Sequence, residues 1–283
     1  MPSTPRPPID SEMKREIRQR CKFGCVMCGS PVFDYEHMTG YTITGHVADD
    51  ITLLCPMHHR EKTAGRLPTA IVRRANDVPH NQDRKRGTKH PTYFDGEILN
   101  VELGNVWYSC AAPEGGTVAA VIIDGEPIVS VRREDDALLL SAVLRDENNR
   151  PMVAIKDGQL MHSLEHWDVE YVGQSLTVRR AQCDPSLRIR FDSDCFVIER
   201  ASIWCRGVNL TIGTAAKLGG IRVENTGNEI ADLTMQNART GIRIGDGVSP
   251  NVLRDCVFAM EVDRRWHGGW TGNGDFYRAT SRS

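Results

Sequence analysis

Long apolar runs are missing from this sequence. Nowhere in its 283 residues does an uncharged hydrophobic stretch approach the ~18 residues that a bilayer-spanning helix needs. The opening MPSTPRPPIDSEMKREIRQR sets prolines and charges where a secretory leader requires an apolar segment, so neither a membrane protein nor an exported one is expected. Aromatic residues are sparse at 6%, but 40% hydrophobic residues suffice for one large domain or two smaller ones. A large excess of either charge is absent too, the net being -2. That total hides an asymmetry: residues 1–90 carry 15 Lys and Arg against 10 Asp and Glu, and residues 91–283 carry 20 against 27. Contact with a polyanion is therefore expected toward the N-terminal part. Nine cysteines, an odd number without a secretory leader, suit metal ligands and buried thiols better than a disulfide framework. They point to a reducing cytoplasm.

Pattern divides the chain in three. Residues 1–9 are rich in proline, and Asp10 then offers a helix cap before EMKREIRQRC. Short apolar segments follow at Val32-Phe33 and Thr42-Ile43, then a strand at Ile51-Thr52-Leu53-Leu54. A helix is expected from His58 to Ala64, ended by Gly65, and a second in TAIVRRAN. Residues 76–92, polar and basic with proline near each end, are expected to be a linker. From residue 93 to 283, runs such as TVAAVIIDG, EPIVSVRR and CFVIER are separated by Asp-Gly and Asn-rich turns, the texture of an antiparallel β-sandwich or barrel. Within this part Gly220-Ile-Arg-Val recurs 21 residues later as Gly241-Ile-Arg-Ile, and the segments at Asn228 and Asn251 echo each other. Such spacing raises β-helix-like coils over residues 218–262 as an alternative. The Gly-rich tail from Trp266 reads as a loop-like terminus or an interaction segment.

Chemistry concentrates between residues 25 and 59. Cys25-x-x-Cys28 and Cys55-x-x-His58 are two knuckles at metal-ligand spacing, with Gly24 and Gly29 flanking the first. Two such pairs complete a tetrahedron around a structural Zn2+, which would stabilise a segment too small to build its own core. Between and beyond them lie Glu36-His37, His46, Asp49-Asp50 and His59, side chains this zinc does not use.

GCVMCG, YEHM and DDITLLCPMHHREK, in this order over residues 20–70, resemble the HNH nuclease family. The resemblance implies a ββα-metal module with treble-clef-like zinc, an α+β unit over residues 1–75 joined to an all-β domain. It implies His37 as the general base on the attacking water, and Glu36 and His59 as ligands of a catalytic Mg2+ or another divalent cation. Asp50 stands at the usual asparagine position, and the resemblance counts it with His37 and His59 in the catalytic set, its carboxylate accepting the imidazole N–H of the base; Glu36 stands where aspartate is commoner. The roles suit the residue types, since a neutral imidazole accepts a proton near pH 7 and a carboxylate with a second imidazole can hold a cation against a phosphate oxygen. Arg60, Lys62 and Arg66, then Arg73, Arg74 and Arg84-Lys85-Arg86, form the expected phosphate-binding surface. The implied activity is endonucleolytic hydrolysis of nucleic acid, DNA before RNA, in a setting such as bacterial defence or a mobile element.

Two other readings stay open. In one, the zinc knuckles are an inert scaffold and the protein binds nucleic acid or a ligand without catalysis; in the other, the β part forms a homo-oligomer carrying a nuclease. No catalytic pattern occurs after residue 93. Cys110, Cys183, Cys195, Cys205 and Cys256 read as core thiols, and Trp107, Trp167 and Trp204 as core or sheet-face residues.

Overall fold

The computed structural model describes residues 7–84, 86–161, 168–181, 184–245 and 256–261. It is mostly β, with its helices gathered near the N-terminus. Helix α1 (Ser11–Arg20) starts where expected: the Asp10 carboxylate accepts from the Met13 N–H at 2.9 Å, Glu12 lies in the first turn, and Arg18 and Arg20 lie in the last. Ile17 on its inner face is fully buried. Lys22 and Phe23 then adopt left-handed backbone and turn the chain into the Cys25 knuckle.

Strand β1 (Asp34–His37) pairs antiparallel with β2 (Ile51–Leu54), Glu36 lying opposite Thr52 and His37 opposite Ile51. Between them lie a short helix, α2 (Tyr41–Thr44), and a 3-10 turn at Ala48–Asp50. Helix α3 (Pro56–Thr63) follows β2 directly, with Cys55 at its cap and Pro56 in its first turn, and α4 (Thr69–Asp77) comes next. Ile17, Val26, Met38, Ile51, Leu53 and Val72 are among the residues of a small core beneath these elements.

The expected linker is not a free tether. His80 N–H donates to the Val26 carbonyl, Asn81 is 2% exposed and donates to the Lys22 and Gly29 carbonyls, and Thr88 Oγ1 donates to the Cys28 carbonyl at 2.6 Å. Further on, Gly87 and His90 donate through their backbone to Leu160 and Gly158 of the β part. Polar composition misled here because a segment without apolar side chains can still be fixed by its backbone groups.

Beyond residue 92 the strands belong to one sheet that closes on itself, in place of two separate stacked sheets. Alternation is plain in Ile98–Leu103, where Leu99, Val101 and Leu103 are fully buried and the residues between face outward. Two antiparallel meanders, one running from Thr117 to Lys156 and one from Asp168 to Gly213, supply most of the sheet. Parallel pairings join distant segments: Ile98–Leu103 lies beside the start of Cys195–Cys205, and Thr240–Gly245 is sandwiched between Thr117–Ile123 and Cys256–Glu261. Ile242 thus sits in register with Val121 and Phe258, a solenoid-like stack of three.

The two Gly-Ile-Arg copies do not stack on each other as coils would. Ile221–Val223 pairs antiparallel with its sequence neighbours, whereas Thr240–Gly245 pairs in parallel. The same alternation of apolar and charged residues serves either direction, since both expose every second side chain. The echo at Asn251, and the tail from Trp266, lie outside the described residues. Among the described residues no helix is long and apolar enough to cross a membrane. Cys110, Cys205 and Cys256 are buried thiols and Cys195 is half-buried, while Cys183 is outside the described residues. Trp107 is a sheet-face residue, 43% exposed, and Trp204 is half-buried; Trp167 also falls outside.

A buried ionic clamp fastens the N-terminal unit to the sheet. Arg18, 3% exposed, donates from Nε and Nη2 to the Asp168 carboxylate at 2.7 and 2.8 Å, and from Nη1 to Glu170 at 2.8 Å and to the Tyr35 hydroxyl at 2.5 Å. Arg179 pairs with the same two carboxylates, so two cations meet two anions. Burial works against the Arg18 charge, but the carboxylates outweigh it and raise its pKa, and burial lifts the Tyr35 phenol to about 12. Removing one partner strands a buried charge. Arg18→Ala should therefore cost about 3–5 kcal/mol in urea unfolding; a loss below about 1 kcal/mol would show that the clamp is solvated and weak.

Candidate metal centre and adjoining acid-histidine site

The first knuckle is a tight turn in which Cys25 N–H donates to the Ser30 carbonyl and Gly29 N–H to the Cys25 carbonyl. Gly29 has φ +75, and a Cβ there would lie 2.3 Å from Asn81 Oδ1, so the position demands glycine on two counts. The second knuckle runs from the end of β2 into α3. Cys25, Cys28, Cys55 and His58 bring their ligand atoms within 4.8 Å of one another, the only such group of three or more among the described residues.

The spacing suits zinc. Ligand bonds of about 2.3 Å to sulfur and 2.0 Å to nitrogen in a tetrahedron require edges of about 3.8 Å between sulfurs and 3.5 Å between sulfur and nitrogen. Cys28 Sγ to Cys55 Sγ is 3.8 Å, Cys25 Sγ to His58 Nδ1 is 3.5 Å, and Cys55 Sγ to His58 Nδ1 is slightly closer at 3.2 Å. Hydrogen bonding from Cys28 holds the Cys25 thiol below its ordinary range. The group can thus bind a metal ion such as zinc, with His58 coordinating through Nδ1.

Because successive residues on a helix point ~100° apart, His58 facing the sulfurs turns His59 elsewhere. His59 Nε2 lies 2.9 Å from Glu36 Oε2 and its Nδ1 lies 3.1 Å from Asp34 Oδ2. Asp34 and Glu36 are two apart on β1 and so share one face of the hairpin. A neutral imidazole has one N–H and can donate to only one of these carboxylates. An imidazolium would donate to both, whereas a cation held by Glu36 and His59 Nε2 would leave Nδ1–H for Asp34, the arrangement by which an outer carboxylate orients a metal-ligating histidine. Two cis ligands of an octahedral ion at about 2.1 Å would sit about 3.0 Å apart, close to the observed 2.9 Å. Asp34 escaped the sequence reading; its only signal was the i, i+2 spacing to Glu36 on a strand.

Lys62, expected on the phosphate-binding surface, points inward instead. Its Nζ is 2.5 Å from Glu36 Oε1 and 3.3 Å from the His37 carbonyl. Three residues after His59 on α3, it falls on the same helix face. Arg60 and Arg66 are exposed, as are Arg74, Arg84 and Arg86, and the Lys85 side chain is outside the described residues.

His37, 5% exposed, turns to the loop between the strands. Its Nε2 lies 3.1 Å from His46 Nδ1, and its ring packs edge-on to Tyr41 at 5.5 Å. His46 Nε2 lies 2.8 Å from the Pro7 carbonyl, which can only accept. In the neutral ring His46 thus donates from Nε2 to Pro7, and its Nδ1 accepts from His37 Nε2–H.

Asp50 does not face the acid-histidine pair by these contacts. Its carboxylate accepts from Thr39 N–H at 3.1 and 3.2 Å, Thr39 Oγ1 at 2.5 Å, Thr44 Oγ1 at 2.9 Å and Arg73 Nη2 at 3.2 Å. It clasps both ends of the loop that carries Tyr41 and His46. Burial opposes its charge, but the two hydroxyls, the amide and Arg73 outweigh that and hold its pKa below the ordinary aspartate range. Arg73, expected on phosphate, also bonds Thr39 Oγ1.

No family model matches the chain, and neither the curated proteins nor the solved structures contain a significant match to it.

Two outcomes follow from this geometry. Purified protein should hold one tightly bound zinc per chain by elemental analysis, and Cys28→Ser should lose it together with thermal stability; full stability in the metal-free variant would make the cluster a set of ordinary buried thiols. Because the folded-state pKa of Asp50 is depressed, its contribution to stability is complete above the ordinary aspartate range and disappears as pH falls through the lower folded value. Wild type should thus melt above Asp50→Asn at pH 7, with the gap closing in strong acid; a gap independent of pH would deny the carboxylate its role.

Proposed function

We propose that this protein is a metal-dependent endonuclease that hydrolyses phosphodiester bonds in nucleic acid, DNA before RNA, through a zinc-stabilised ββα-metal module. The observation that supports it most is the meeting of Glu36 on β1 with His59 on α3 at 2.9 Å, backed by Asp34. Glu36 and His59 would hold a divalent cation such as Mg2+, which when bound supplies charge to stabilise the phosphorane and the departing 3′ oxygen. Two protein ligands leave room for water and phosphate oxygens, the way magnesium is usually held. His37 is the general base this reading requires, and because its ring faces Tyr41 and His46 the water it activates must lie between that loop and the Glu36–His59 pair. Asp50 and Arg73 keep the loop of His46 in place without touching the reacting atoms. Exposed Arg60 and Arg66 attract the backbone without reading bases. The β part would serve recognition, regulation or oligomerisation.

One observation favours a non-catalytic zinc scaffold: the Lys62 ammonium already neutralises Glu36. A cation must compete with it, so Lys62→Ala should tighten metal binding if the nuclease reading is right. Plasmid cleavage with Mg2+, Mn2+ or Ni2+ separates the two readings. His37→Ala should lower the rate by about 10²–10⁴-fold, with Glu36→Ala similarly impaired and His46→Ala less so. Equal rates in wild type and His37→Ala would remove His37 from catalysis, and an absence of cleavage with every metal would leave the scaffold.

A further inference from the structure

A cavity of about 620 Å³, counting its open mouth, lies where the zinc knuckle, the segment after α4 and the sheet meet. The sheet contributes Ile155, Leu176 and Phe191, the N-terminal unit Phe23 and Gly29, and the connecting segment Thr88 and His90. Four rings border it, those of Phe23, His90, Tyr171 and Phe191, with His90 edge-on to Tyr171 at 4.7 Å. Among the described residues no Lys, Arg, Asp or Glu lines it. Burial keeps the His90 imidazole below its ordinary pKa range, so it adds no charge at neutral pH.

Polar atoms in the lining come from the Tyr171 phenol, the Thr92 hydroxyl and the His90 ring as well as from Thr88 and Asn81. Thr88 spends its hydroxyl proton on the Cys28 carbonyl, and Asn81 spends its amide protons on the Lys22 and Gly29 carbonyls. Asn81 Oδ1 already lies 3.4 Å from His80 Nδ1, so the acceptor left for a guest is Thr88 Oγ1 with its lone pairs. A charged guest would lose its hydration without gaining a partner, whereas a flat uncharged ring would gain contact with four aromatic faces and edges.

We propose that this cavity is a binding site for an uncharged, planar aromatic molecule of one or two rings bearing an N–H donor, of the size of an indole or a nucleobase. The guest stacks among the rings and donates its N–H to Thr88 Oγ1. Since Thr88 is hydrogen-bonded to the carbonyl of a cluster cysteine, the site lies one bond away from the metal knuckle. The site stands on its own, whether or not the chain cuts nucleic acid.

The test is ligand-observed NMR on the full chain with three probes: indole, its isostere benzofuran without an N–H, and indole-3-carboxylate. Saturable indole binding is expected, with benzofuran roughly 3- to 10-fold weaker for want of one hydrogen bond and the carboxylate weaker still. Leu176→Trp should fill the cavity and abolish binding. Should that variant fail to fold, Thr88→Val decides, and it should weaken indole while leaving benzofuran unchanged. The proposal is overturned if folded wild type shows no saturable indole binding, if the carboxylate binds as well as indole, or if Thr88→Val affects neither neutral probe.

Discussion

The arrangement of the N-terminal unit depends on one constraint, the convergence of Cys25, Cys28, Cys55 and His58 on a common point. The small core around Ile17 and Leu53 is modest, and a closed tetrahedral ion at this cluster would supply the cross-link that so short a unit lacks. It ties the turn after α1 to the end of β2 and the first turn of α3. With the start of α3 fixed there, helical geometry decides the rest: His58 looks at the sulfurs, and its neighbour His59 must look at the hairpin face that carries Asp34 and Glu36. Structure and chemistry therefore share one cause. A metal ion held there would be the strut that sets the angle of α3 and so the direction of His59.

Around that strut, polar groups divide the labour. Asp50, at the position where the resembling family carries asparagine, is spent on the loop, tying Thr39 to Thr44 with Arg73 as counter-charge. A carboxylate there need not disturb the acid-histidine pair, because its oxygens are already engaged by four donor groups. Lys62 is the opposite case, a cation drawn into the pair itself. The buried clamp of Arg18 and Arg179 with Asp168 and Glu170 joins the N-terminal unit to the sheet.

Local chemistry was legible in the sequence, and long-range partnership was not. Four ligands at two knuckle spacings announced their convergence, and the cap at Asp10 located the first helix, while α3 begins two residues earlier than the expected His58. Alternation such as Leu99-x-Val101-x-Leu103 announced a sheet. It could not show direction, which is why two Gly-Ile-Arg segments that pair in opposite senses looked like copies of one coil. Arg18 looked like any cation in a helix's last turn, since its partner Asp168 lies 150 residues away. The segment after α4 looked like a tether because its attachments are backbone groups, Asn81 and Thr88, which carry no hydrophobic signature. Asp34 was hidden for a simpler reason: one more acid on a strand is unremarkable until a helix brings His59 beside it.

The central claim is that this fold carries two metal positions of different kinds, a closed one for structure and an open one for chemistry. Anomalous scattering from crystals of the zinc-containing protein soaked in Mn2+ tests it most directly. The account predicts a zinc peak inside the Cys25, Cys28, Cys55 and His58 group and a separate manganese peak in contact with Glu36 and His59. A zinc peak alone, with the Glu36 and Lys62 ion pair intact at saturating Mn2+, would contradict it.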